Sequence, residues 1–158
     1  MNRLLLTIAI LLSFLSCKKN EPLDTNLNST VQLDLVGEND ENVLSSKLTI
    51  ADLDLYYVTR SGDKVLQNHG NLDLPKNMEI IDNQQHKVLR LFANLDAEHN
   101  DYAETLLKAK GYEEVSIKIK VRRQKGSLGY SELFLNGKKI SADLLAEPVT
   151  VQLKNNLN

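Results

Sequence analysis

The side chains able to do chemistry in this chain are few and scattered. The three histidines, His69, His86 and His99, stand far apart. None has a second histidine one helical turn away, so no local zinc pattern forms and each reads as a polar loop or strand-edge residue. The stretch LDAEHND sets Asp96, Glu98, Asn100 and Asp101 in one loop, and oxygen ligands at alternating positions suit Ca²⁺. It lacks the glycine and the closing bidentate glutamate of a calcium loop, and so reads as a solvated turn that caps YAETLLK. The acidic stretch GENDENV at 37–43 reads the same way. In GSLGY, Ser127 follows Gly126 directly, which is not the spacing of a nucleophile elbow. The scattered glycines build no phosphate cradle. These patterns predict a protein that is not an enzyme and that carries no cofactor and no metal.

The densest charge is KIKVRRQK at 118–125. In an extended strand Lys118, Lys120 and Arg122 share one face, with Lys138 and Lys139 in the hairpin that follows. Such a stripe can meet an acidic glycan or the carboxylates of a partner. As a plain wet sheet face, its lysines also guard against edge-to-edge aggregation. No aromatic residue is interleaved with these charges along the sequence, which argues against single-stranded nucleic acid. The net charge of −2 supplies no general field for nucleic acid or an anionic membrane. Tryptophan is absent, and Tyr56 is the tyrosine best placed to face outward, with Tyr130 a further contributor. Sugar stacking therefore has little support.

Positioning these residues falls to a pattern whose dominant period is two. VSIKIKV puts Val115, Ile117, Ile119 and Val121 on one face and Ser116, Lys118 and Lys120 on the other. VQLDL, DLDLYY and VTVQL alternate likewise, and KVLRLF is apolar enough on both faces to be a central strand. SGDK at 61–64 closes a hairpin after Val58, and Asn136–Gly137 marks another between SELFL and KKI. The spacing predicts an all-β single sandwich of about seven to nine short strands. DYAETLLKAKG carries helix signals, with Asp101 as N-cap and Gly111 as stop. It also alternates as a strand, so a short helix near 101–110 stays open beside a strand.

The only cysteine, Cys17, follows Arg3, an apolar run from Leu4 to Leu15, and Ser16. That run has the length of a secretory h-region and is too short to span a bilayer. The junction resembles the lipobox of bacterial lipoproteins, in which the cysteine is acylated and the leader is cut just before it. It implies a signal peptide over 1–16, an acylated cysteine and flexible stalk over 17–29, a sandwich domain over 30–154 and a tail over 155–158. Losing Arg3 with the leader would make the net charge one unit more negative. Acylation would consume the only thiol, leaving the fold to rest on its core without an internal disulfide.

The whole layout is similar to the small uncharacterised lipoproteins of Bacteroidota. The resemblance rests on the lipobox, the polar stalk, the strands DLDLYYV and LRLFANL, and the late hairpin LFLNGKKI. It implies a transthyretin-like or immunoglobulin-like sandwich anchored in the bacterial cell envelope, at the outer membrane, and brings no catalytic residue. The expected function is a lipid-anchored, non-enzymatic interaction or binding domain. It would meet the membrane through acylated Cys17 and a protein partner in the envelope, with no nucleic acid. The alternative is a ligand-binding accessory, for a glycan or metal, in a nutrient-uptake system.

Overall fold

The computed structural model describes residues 26–84, 86–97, 101–141 and 147–156. The expected leader, Cys17 and most of the stalk lie outside the described residues. The strands are β1 (Asn26–Asn28), β2 (Thr30–Val36), β3 (Leu53–Val58), β4 (Lys64–Leu66), β5 (Met78–Asn83), β6 (His86–Phe92), β7 (Tyr102–Ala109), β8 (Val115–Gln124), β9 (Ser127–Leu135), β10 (Lys138–Ile140) and β11 (Val149–Gln152). A single helical turn, α1 (Val43–Ser46), and a 3₁₀ turn at Ile50–Asp52 join β2 to β3.

Two sheets carry the fold. The larger runs β1-β9-β8-β7-β3-β4, with β10 also paired to β9; the smaller runs β11-β2-β6-β5. Period-two alternation gives each sheet one apolar face, and the two faces close on each other. Leu33 and Leu35 of β2 and Leu89 and Leu91 of β6 share one core with Leu53 and Leu55 of β3, Leu107 of β7, Ile117 and Ile119 of β8 and Leu133 of β9, all fully buried. This is the all-β sandwich that the alternation predicts, with more strands than expected because short edge pieces pair at both sheets. KVLRLF is central, between β2 and β5, and Val88 is buried on its second face.

The ambiguous stretch near 101–110 is strand β7, not a helix. Ala103, Thr105, Leu107 and Ala109 point into the core, and Leu106 is buried on the opposite face. A position between β3 and β8 satisfies backbone groups on both edges of β7. Long-range pairing here outweighs the local helix signals. Gly111, expected as a helix stop, instead takes φ 87° in the turn after β7, where the Tyr112 amide donates to the Ala109 carbonyl at 3.0 Å.

The hairpin at Asn136–Gly137 forms as expected, with φ of 48° and 78°, and the Ser116 amide donates to Asn136 Oδ1 at 2.8 Å. The domain boundaries widen slightly. Asn26–Asn28, expected in the stalk, form β1 parallel to Ser127–Gly129, because the edge of β9 offers free backbone partners. Asn155 bridges to Tyr112, so the expected tail begins inside the fold.

Candidate functional site

The outer face of the larger sheet gathers charge around aromatic rings. Cross-strand register does the gathering: Lys120 of β8 sits opposite Tyr102 of β7 and Glu132 of β9, and Lys118 sits opposite Glu104 and Phe134. Lys139 of β10 lies opposite Phe134. The Tyr102 and Phe134 rings meet edge to face with centroids 5.9 Å apart. Lys118 and Lys120 place their ammonium groups 5.3 and 5.9 Å from the Tyr102 centroid, and Lys139 is 5.9 Å from that of Phe134. At such distances the ring quadrupole attracts the cation.

Two acids share the face. Glu132 accepts from Lys139 at 2.9 Å and lies 3.8 Å from Lys120. The hydrogen bond from Lys139 holds the Glu132 carboxyl below its usual range. Glu104 accepts from the Ser116 hydroxyl at 2.6 Å. Lys118 is exposed and has no ion-pair partner among the described residues. Around the two rings, Lys118, Lys120 and Lys139 against Glu104 and Glu132 leave one net positive charge and an apolar centre. An anionic group with a flat or apolar body is the ligand such a surface suits.

The sequence-predicted trio divides. Lys118 and Lys120 come together around Tyr102. Arg122 lies farther along β8 beside a separate hollow of about 170 Å³, which it lines with Asn28, Gln124, Ser127, Gly129 and Tyr130. No aromatic is interleaved with these charges along the sequence, but Tyr102 and Phe134 come between them from neighbouring strands. Tyr56 is outward and half-buried, opposite Leu66 and Leu106, away from the lysines.

The other candidates are tied into local structure. His69 Nε2 lies 3.1 Å from Gln67 Oε1. His86 Nε2 lies 3.3 Å from Asp34 Oδ2, and Asn42 donates to Asp34 Oδ1 at 2.7 Å. His86 and Ser45 line one hollow of about 380 Å³, but the Ser45 hydroxyl accepts from the Lys87 amide at 3.4 Å and makes no bond to the imidazole. Of the candidate calcium loop, Glu98, His99 and Asn100 lie outside the described residues. Asp96 accepts from Arg60 at 2.7 Å, and Asp101 lies 3.6 Å from Arg123, so the two carboxylates serve different arginines. Ser127 starts β9 rather than standing on an elbow. Among the described residues no three of His, Cys, Asp and Glu gather as a metal site, and no helix is long and apolar enough to cross a membrane.

Comparison of the chain with protein-family models, with curated proteins and with solved structures gave no match. The functional reading therefore rests on the geometry of this face and on the N-terminal sequence.

Proposed function

We propose that this protein is a lipid-anchored binding domain of the bacterial cell envelope, not an enzyme, which meets an anionic partner on the outer face of its larger sheet. The carrying observation is Tyr102 flanked by Lys118 and Lys120, with Phe134 and Lys139 beside it. The anchor half of the proposal rests on the run Leu4–Leu15 followed by Ser16 and Cys17. Two or more acyl chains on Cys17 give a stable tether, since one chain alone holds only marginally. The resemblance to Bacteroidota lipoproteins supports the same address.

The primary partner is the acidic surface of another envelope protein, whose carboxylates would pair with Lys118 and Lys120 while apolar side chains cover Tyr102. The edge-to-face ring pair also favours a second reading, an anionic sugar stacked on the aromatic centre, as in an accessory of nutrient uptake.

Three measurements test this. Cells fed labelled palmitate should label the wild-type chain and not Cys17→Ser; an unlabelled wild type defeats the anchor. Mild cross-linking of intact envelopes should give one dominant adduct that Lys118→Glu with Lys120→Glu removes. Calorimetry with polygalacturonate, with heat that the same double variant abolishes, would instead select the sugar. If neither cross-linking nor calorimetry responds to the double variant, the face is not the binding surface.

A further inference from the structure

A second surface stands on different residues. Strand β5 ends the smaller sheet and has β6 on one side only. Its pairing with β6 is continuous from Met78↔Leu91 to Asn83↔His86, without a bulge. The Phe92 amide donates to the Asn77 carbonyl at 3.0 Å. That bond sets the antiparallel alternation, in which Glu79, Ile81 and Asn83 exchange hydrogen bonds with β6. Met78, Ile80 and Asp82 then turn their backbone N–H and C=O groups to the open side. None of these groups has a backbone partner there among the described residues.

Open edges are ordinarily blunted by shortness, proline, outward lysine or a bulge. The other edge strands follow that rule: β1, β4 and β10 have three residues each and β11 four. β5 has six, MEIIDN, with no proline and no lysine. Beside it runs an open groove of about 480 Å³, floored by Leu44, Leu48, Leu74, Met78 and Ile80, with Ile50 exposed at the rim. Asp73 and Asp82 line the same groove and have no ion-pair partner within 4.0 Å among the described residues; Lys87 is the one cation in the lining.

We propose that β5 is a docking edge that takes an extended segment of a protein partner as an added antiparallel strand. Backbone bonds to Met78, Ile80 and Asp82 supply the affinity, and alternate side chains over the groove supply the selectivity. The groove's chemistry defines the segment: apolar residues over Met78 and Ile80, and basic residues at its ends, toward Asp73 and Asp82. A second copy of this chain is a poor occupant. Two-fold pairing about Ile80 would lay Asp82 of each copy over Met78 of the other, covering an unpaired carboxylate with an apolar side chain instead of a cation.

The test titrates the full ¹⁵N-labelled chain with an acetylated, amidated heptapeptide, Lys-Thr-Val-Thr-Val-Thr-Lys, whose lysines and valines share one strand face, and follows backbone amides. The expected result is saturable shifts centred on Met78, Ile80 and Asp82. The peptide with glutamate at both ends should bind at least tenfold more weakly, and the peptide N-methylated at its valines should be silent. Asp82→Pro removes an outward N–H without touching the β6 ladder, as edge prolines do, and should be silent as well. The N-methylated peptide keeps the test decisive if that variant does not fold. The proposal is overturned by no saturable shift at these amides up to millimolar peptide, by equal binding of the N-methylated peptide, or by shifts confined to the lysine and aromatic face. Concentration-dependent dimerisation that shifts the same amides without peptide would assign the edge to a second copy, and would also overturn it.

Discussion

The hydroxyl of Tyr57, on the larger sheet, donates to the carbonyl of Phe92, on the smaller one, at 2.7 Å. Tyr130 does the same to Thr30 at 3.0 Å. Thr30 and Phe92 face each other across β2 and β6, so tyrosines from β3 and β9, with β7 and β8 between them, grip one cross-strand pair. Asn77 extends the grip, donating to both Tyr57 Oη at 3.2 Å and Gln67 Oε1 at 3.1 Å.

Tyr57→Phe and Tyr130→Phe should each lower the unfolding free energy by about 1 kcal/mol, the ordinary net value of one internal hydrogen bond. Tyr57→Phe should cost the more, because Asn77 also loses an acceptor. Urea unfolding of the two variants and the double variant measures this. Since both hydroxyls hold the same strand pair, the double variant should depart from the sum of the singles.

Burial raises the hydroxyl pKa of both tyrosines above the ordinary value of 10.0. A raised folded-state pKa gives stability that is complete below the unfolded value and lost as pH rises through the folded one. The wild type should therefore lose melting temperature on the alkaline side of pH 10.0, and the double phenylalanine variant should show a shallower fall. Differential scanning calorimetry across that range decides it.

On the acid side the sign reverses. Hydrogen bonds from the Thr49 hydroxyl and amide, at 2.7 and 2.9 Å, hold the Asp52 carboxyl below its usual 3.8. A lowered pKa gives stability that is present above the unfolded value and disappears as pH falls through the folded one. Asp52→Asn should melt below the wild type near neutrality and converge with it as pH drops under 3.8. A constant gap between the two curves would show that the charge is immaterial.

Lys76 is a stitch between the loop before β5 and the turn before β3. Its ammonium group donates to the carbonyls of Leu53, Ile50 and Ala51 at 2.6, 3.2 and 3.4 Å and lies 3.3 Å from Asp54 Oδ1. Lys76→Met keeps the stem and removes the donor. It should cost roughly 1.5–3 kcal/mol, the range for bonds to a charged group, read as a lower urea midpoint.

Lys118 should behave oppositely. It is exposed and makes no ion pair among the described residues, only the cation–π contact with Tyr102, so Lys118→Ala should change stability by no more than about 1 kcal/mol. The same change should weaken binding of an anionic partner. Parallel melting and cross-linking experiments separate the two effects.

Much of the architecture was legible because alternation is a local signal. Val115, Ile117, Ile119 and Val121 point inward as their spacing requires, and Asn136–Gly137 turns where two residues tolerant of positive φ stand together. β7 was ambiguous because Asp101 and Gly111 are helix signals by local rules, and only the free edges of β3 and β8 decide against them. The site was half legible. Lys118 and Lys120 share a face in any strand, but their meeting with Tyr102 and Phe134 depends on strand order and register. A register shift between Lys120 and Val121 also separates Arg122's neighbourhood from theirs. The docking edge was invisible for the same reason: nothing in MEIIDN says that β6 pairs one side and that, among the described residues, no strand pairs the other.

The two outermost strands in chain order both pair in parallel with distant partners, β1 with β9 and β11 with β2. Parallel neighbours cannot be joined by a tight turn, so each pairing waits for nearly the whole chain to be available. Until Val149–Gln152 arrive, the β2 edge holding Leu33 and Leu35 stays uncovered. A fold closed by such long-range contacts forms slowly compared with one built from hairpins alone. During synthesis the sandwich thus spends its early life incomplete, and its assembly is a late, nearly single event.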